Sequence, residues 1–110
     1  MAIAQNIIID QDADYSQQFT AKTDAGAVID LTNSTLDGMI RKSFASTTAT
    51  AFTTAIVTAT SGTFTIALTD VQSAALERGR HVYDVRVTGA DSTVTRIQEG
   101  VATVSPSVTR

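Results

Sequence analysis

The sequence predicts an all-β fold, an antiparallel two-sheet β-sandwich. Three observations predict it. Val and Ile together number 19 against four Leu, and Thr alone supplies 19 of the 110 residues. Branching at Cβ stiffens χ1 and favours the pleated strand over the helix. Apolar and polar residues alternate with a period of two in several segments, and turn residues separate those segments about every 8–12 positions. Such strands are apolar on one face only, so two sheets must cover one another. A length of 110 residues is one domain, and 43% hydrophobic against 17% charged residues is apolar enough to fold.

The elements follow in order. Ile3 to Ile9 is an apolar segment that ends at Asp10-Gln11-Asp12. Tyr15 to Lys22 is a strand with Tyr15, Gln17 and Phe19 on one face, closed by a turn at Asp24-Ala25-Gly26. Ala27 to Leu31 reads as a short strand, broken by Thr32-Asn33-Ser34. Leu36, Gly38 and Ile40 alternate with Asp37, Met39 and Arg41, which makes 35–42 a strand. Ser43–Thr50 is the longest loop, and a strand over 51–57 sets Phe52, Thr54 and Ile56 on one side.

Ser61-Gly62 is a turn. Thr63–Thr69 is the cleanest strand, with Phe64, Ile66 and Leu68 inward and hydroxyls outward. One short helix, near 70–76, interrupts the pattern. Thr69 or Asp70 caps it, Gly79 follows its end, and Val71 with Ala74 or Ala75 is expected to face the core. Arg80–Thr88 turns His81, Tyr83, Val85 and Val87 to one side. Gly89-Ala90-Asp91-Ser92 is a turn, Thr93–Glu99 the return strand, and Val101–Val104 a last strand before Pro106. Gly100 between them marks a bulge or a close backbone approach. The count is seven or eight short strands.

Composition excludes several functions. A net charge of −3 argues against a nucleic-acid surface. The absence of Cys removes disulfides, thiolate metal sites and cysteine nucleophiles. No apolar run approaches the roughly 20 residues of a membrane helix, and the opening residues, with no basic region before an apolar stretch, are not expected to act as a signal peptide. The lone His81 has no orienting carboxylate or nucleophile that the sequence locates. Asp10, Asp12 and Asp14 resemble the opening of a calcium loop, yet Tyr15 stands where that loop needs Gly and Ala21 where it needs Glu. No Gly-x-Ser-x-Gly elbow and no glycine-rich phosphate loop is present. The expectation is a protein that is not an enzyme, with no catalytic, metal or cofactor residues.

Two features point instead to docking. Arg outnumbers Lys six to two, and Arg suits interfaces because its planar fork pairs with carboxylates and sheds water readily. Arg86 and Arg96 flank one turn and are expected near Asp84 and Glu99. Residues 43–60 carry no charge, so a strand there lacks the usual guard against pairing with a partner.

The motif order resembles a family. Ile29-Asp30-Leu31-Thr32 after Asp24-Ala25-Gly26, then Met39-Ile40-Arg41-Lys42, then Gly62-Thr63-Phe64-Thr65-Ile66, is similar to small tailed-bacteriophage structural proteins. In the second half Asp70, Ala75-Leu76, Gly79, Val82-Tyr83-Asp84-Val85, Arg96, Glu99-Gly100 and Val108-Thr109-Arg110 continue the pattern over about 14–110. The resemblance is to the immunoglobulin-like N-terminal domain of phage upper baseplate proteins. Ala13-Asp14 departs from the Gly-Asp pair with which that family often opens.

The resemblance implies an immunoglobulin-like sandwich that serves as a virion component without catalysis. Its place is a tail or baseplate, it is made in the host cytoplasm, and its partners are other virion structural proteins in a homo- or hetero-oligomer. Capsid decoration, host-surface glycan binding and hydrolysis remain as alternative readings. Residues 1–13 are expected to form an N-terminal segment suited to an assembly arm, and 14–110 the sandwich. Ile3, Ile7, Ile9, Arg41, Arg86, Arg96 and Arg110 are the expected interface residues. Membrane and nucleic acid are not expected partners.

Overall fold

The computed structural model of the chain describes residues 3–23 and 26–106. Within them the order is β1 (Ile3–Ala4), β2 (Ile7–Asp10), β3 (Tyr15–Thr20), β4 (Thr35–Arg41), β5 (Thr50–Ala51), β6 (Thr53–Thr58), β7 (Thr63–Leu68), α1 (Asp70–Ala75), β8 (Gly79–Thr88) and β9 (Val94–Ser105). Sheet A runs β1-β9-β8-β4-β5, with β2 also on β9, and sheet B runs β3-β7-β6. This is an all-β, immunoglobulin-like two-sheet sandwich with one short helix.

Period-two alternation builds the core. Phe64, Ile66 and Leu68 of β7 are buried and meet Ile40, Val85, Ile97 and Val104 from sheet A within one apolar cluster. Each such side chain contributes about 1.5–3 kcal/mol on burial. Phe19 and Phe64 pack with ring centroids 5.9 Å apart, and Phe52 meets Tyr83 edge-on at 6.1 Å. The turn at Gly62 needs glycine: its φ is +68°, and a Cβ there would run into the Ile29 carbonyl.

Several expectations are corrected. The sheets are not purely antiparallel, because β1 and β2 run parallel to β9. Residues 3–10 are therefore strands along one edge of sheet A, paired with β9. Ala27–Leu31 is not a strand; it holds only the isolated bridge Lys22–Val28, although Leu31 is fully buried. Asp24 and Ala25 of the expected turn lie outside the described residues.

The strand expected over 51–57 is two strands. β5 pairs β4 in sheet A and β6 pairs β7 in sheet B, so the chain changes sheets at buried Phe52. The two expected C-terminal strands are one, β9, because β8 is long enough to pair along its whole length. The bulge lies at Ile97, between the pairs Val85–Gln98 and Arg86–Arg96. Gly100 is the close approach: a Cβ there would overlap the Gln5 carbonyl.

The helix is capped as its sequence predicts. Thr69 accepts from the Gln72 N–H at 3.2 Å, and the Gln72 side chain accepts from the Thr69 N–H at 2.9 Å. The face it turns inward is the other one. Val71 is 74% exposed and Ala74 and Ala75 are exposed, while Ser73 and Leu76 are buried. Ser73 wins because its hydroxyl donates to the Ala13 carbonyl at 2.8 Å and accepts from the Ala13 N–H at 3.2 Å. That closes the Gln11–Asp14 crossing between the sheets, which an alanine methyl cannot do.

Candidate functional site

The strands of sheet A alternate, so residues facing away from the core form a second surface. On β8 these are Arg80, Val82, Asp84 and Arg86; on β4 they are Asp37, Met39 and Arg41; on β9 they include Arg96, Glu99 and Val101. Together with Phe44 from the β4–β5 loop they line an open concavity of about 600 Å³. Phe44 is 88% exposed and Met39 36% exposed above it.

Ion pairs fix part of this face. Arg86 donates to Asp37 at 2.7 Å across the β8–β4 pairing, and this bond holds the Arg86 guanidinium even more firmly protonated than usual. Arg96 reaches Glu99 at 3.1 Å and Asp84 at 3.6 Å. These side chains are about half exposed, so water and salt screen them and they set direction more than stability. Arg41 donates to the Ser46 carbonyl at 2.8 Å and steadies the Ser43–Ala49 loop that carries Phe44. Arg80 makes no ion pair among the described residues.

Three of the expected interface residues, Arg41, Arg86 and Arg96, thus meet on one surface although they lie as far as 55 positions apart in sequence. Ile7 and Ile9 are corrected: they are 3% and 0% exposed, belong to this domain's own core, and offer nothing to a partner. The exposed member of that run is Ile8, at 69%. Ile3 pairs opposite Gln98 in β1. Arg110 lies outside the described residues. Sequence reading missed Phe44, Met39 and Arg80. Met39 and Arg80 share the outward phase of Arg41 and Arg86, which was a usable signal. Nothing in sequence says that a loop lifts Phe44 over the sheet.

His81 is 4% exposed, and its Nε2 donates to the Glu77 carbonyl at 2.7 Å, while Nδ1 has no hydrogen-bond partner among the described residues. It ties the end of the helical segment to β8. Asp14 accepts the Asp70 N–H at 2.8 Å at the start of α1. Among the described residues no three His, Cys, Asp or Glu side chains are grouped to hold a metal, and no helix is long and apolar enough to cross a membrane. Strand β6 is one of the two edge strands of sheet B and carries no charge, and a bulge at Val57 interrupts its pairing with β7.

No protein-family model and no curated protein matches the chain. Among solved structures, an internalin-like protein of Listeria monocytogenes is similar, with a TM-score of 0.53 at 16% identity, over 94% of this chain. The chain spans 28% of the length of that one. A likeness at this identity is one of fold.

Proposed function

We propose that this chain is a non-catalytic structural subunit of a bacteriophage particle, docked in the tail or baseplate through the outer face of sheet A. The observation that carries the docking part is the convergence of Arg41, Arg86, Arg96, Met39 and exposed Phe44 around one concavity. Arginine forks and an aromatic knob on a rigid sheet are what a protein interface selects. The sheet supplies the rigidity, since β4, β8 and β9 are hydrogen-bonded neighbours and their inward sides are locked in the core. The virion address rests on the order of motifs that resembles phage baseplate domains.

The test is particle composition. Particles purified from cells that carry the gene are analysed by mass spectrometry, and an antibody against the chain locates it by electron microscopy. The expected result is the chain in multiple copies per particle, with label on the tail or baseplate. The double substitution Arg86→Glu and Arg96→Glu is expected to leave circular dichroism unchanged and reduce incorporation at least about tenfold, as loss of interface charge pairs does. Particles that lack the chain would overturn the proposal, and label on the shell would move it to capsid decoration.

A further inference from the structure

We infer that the open edge of β3 pairs with the β3 edge of a second copy of this chain, antiparallel about a two-fold axis at Gln18, so that the two copies of sheet B join into one sheet. The contact lies apart from the docking face of sheet A and goes beyond it.

The open ladder is the first observation. β3 pairs with β7 on one side only and stands at the end of the order β3-β7-β6. Successive residues of a strand turn their N–H and C=O to opposite edges. Just past β3, the Ala21 N–H donates to the Gly62 carbonyl at 2.7 Å, so odd positions face β7. Ser16, Gln18 and Thr20 therefore turn theirs outward. Other edges are poorer templates. β5 has two residues, a register shift interrupts β6, and residues 5–6 separate β1 from β2. β3 runs six residues in unbroken register, and Tyr15–Thr20 holds no charge, Pro or bulge of the kind that guards an edge.

Register and charge name the partner. A two-fold axis at Gln18 sets Gln18 against Gln18 and, twice over, Ser16 against Thr20 and Asp14 against Lys22. These are hydrogen-bonded positions of an antiparallel ladder, and amide, hydroxyl and opposite-charge pairs all favour such positions. Asp14 and Lys22 are exposed and make no ion pair among the described residues; Asp14 accepts the Asp70 N–H at 2.8 Å. Sliding the register by two in one direction sets Lys22 against Asp12, whose φ of +65° takes it out of the strand. Sliding it the other way shortens the ladder and leaves Asp14 without a cation. The edge is thus complementary to itself, the contact is isologous, and it closes at two copies.

The experiment is light scattering on the purified chain over a range of concentrations, joined to disulfide trapping. An edge contact this short falls at the low end of interface size, so the expected result is a dimer that dissociates on dilution. Gln18→Pro removes the outward N–H at the axis without removing a bond to β7, and Gln18→Lys sets two cations opposite one another. Each is expected to keep the natural circular dichroism and to weaken the dimer about tenfold or more. The chain has no Cys, so Gln18→Cys can bridge only to another copy. Facing Cα atoms there would lie about 5.5 Å apart, within disulfide range, whereas two Ser16→Cys residues would lie roughly 14 Å apart. Oxidation is expected to trap the first variant as a dimer and to leave the second monomeric. A natural chain that stays monomeric at every concentration overturns the inference and leaves the edge to a foreign strand. A dimer untouched by Gln18→Lys, or Ser16→Cys bridging as readily as Gln18→Cys, overturns it too. Incorporation of the Arg86→Glu and Arg96→Glu variant into particles reads the docking proposal separately.

Discussion

Gly100 has no side chain because the Gln5 carbonyl occupies the place where one would go. Around that contact the N-terminal edge is fastened to β9. Gln5 N–H donates to the Glu99 carbonyl at 2.8 Å, and Val101 N–H donates to the Asn6 side chain at 3.2 Å. The buried Tyr83 hydroxyl donates to the Gln5 carbonyl and accepts from Gln98 at 3.0 Å. Asn6 thus replaces a backbone acceptor where β1 breaks from β2. A methyl at position 100 would push the edge off these partners. Gly100→Ala is expected to cost about 1–3 kcal/mol, the usual range for an overpacked site. Urea unfolding checks the cost, and faster hydrogen exchange at Gln5 and Val101 would locate it. The sequence offered Gly100 as either bulge or close approach; the choice depended on where residue 5 runs, 95 positions away.

At the scale of the element, β2 shows what alternation can and cannot say. Three consecutive isoleucines carry no period, so the run marked an apolar segment without marking its sides. Parallel pairing with β9 turns Ile7 and Ile9 inward and Ile8 outward. Ile9→Ala is therefore expected to destabilise the fold by about 2–5 kcal/mol, and Ile8→Ala by no more than about 0.5 kcal/mol. Chemical denaturation of the two variants compares them directly, and equal losses would contradict the placement. The helix makes a similar point. Its cap was legible because Thr69 and Gln72 stand at capping-box spacing. Its inward face was not, because hydropathy favours Val71 and the alanines, whereas the crossing at Ala13 needed the Ser73 hydroxyl.

At the scale of the whole molecule, the two tyrosines of the core link stability to pH. Burial pushes Tyr15 far up, with the Tyr83 phenol adding to it, and burial raises Tyr83 as well. A folded pKa above the unfolded one means that the stabilisation is complete below the unfolded value, about pH 10, and fades as pH rises past it. Thermal unfolding is therefore expected to hold steady from neutral pH to about pH 9 and to fall steeply above about pH 10. A double Tyr15→Phe and Tyr83→Phe variant is expected to lose that alkaline limb and to be less stable at neutral pH, because Tyr83 also serves Gln5 and Gln98. An unchanged limb in that variant would refute the assignment.

Composition and period by themselves determined the class of this protein. β-branched residues, alternation and spaced turns require two sheets, and the inward series Phe64, Ile66, Leu68 and Tyr83, Val85, Val87 could be read one strand at a time, because a strand's two faces are a local property. Tertiary structure alone decided which strands are neighbours. It made β1 and β2 a parallel edge, sent β5 and β6 to different sheets at Phe52, and brought Arg41, Arg86 and Arg96 together under Phe44. Those outcomes depend on pairing between distant segments, and pairing is set by how the complete core fills rather than by any residue's own preference.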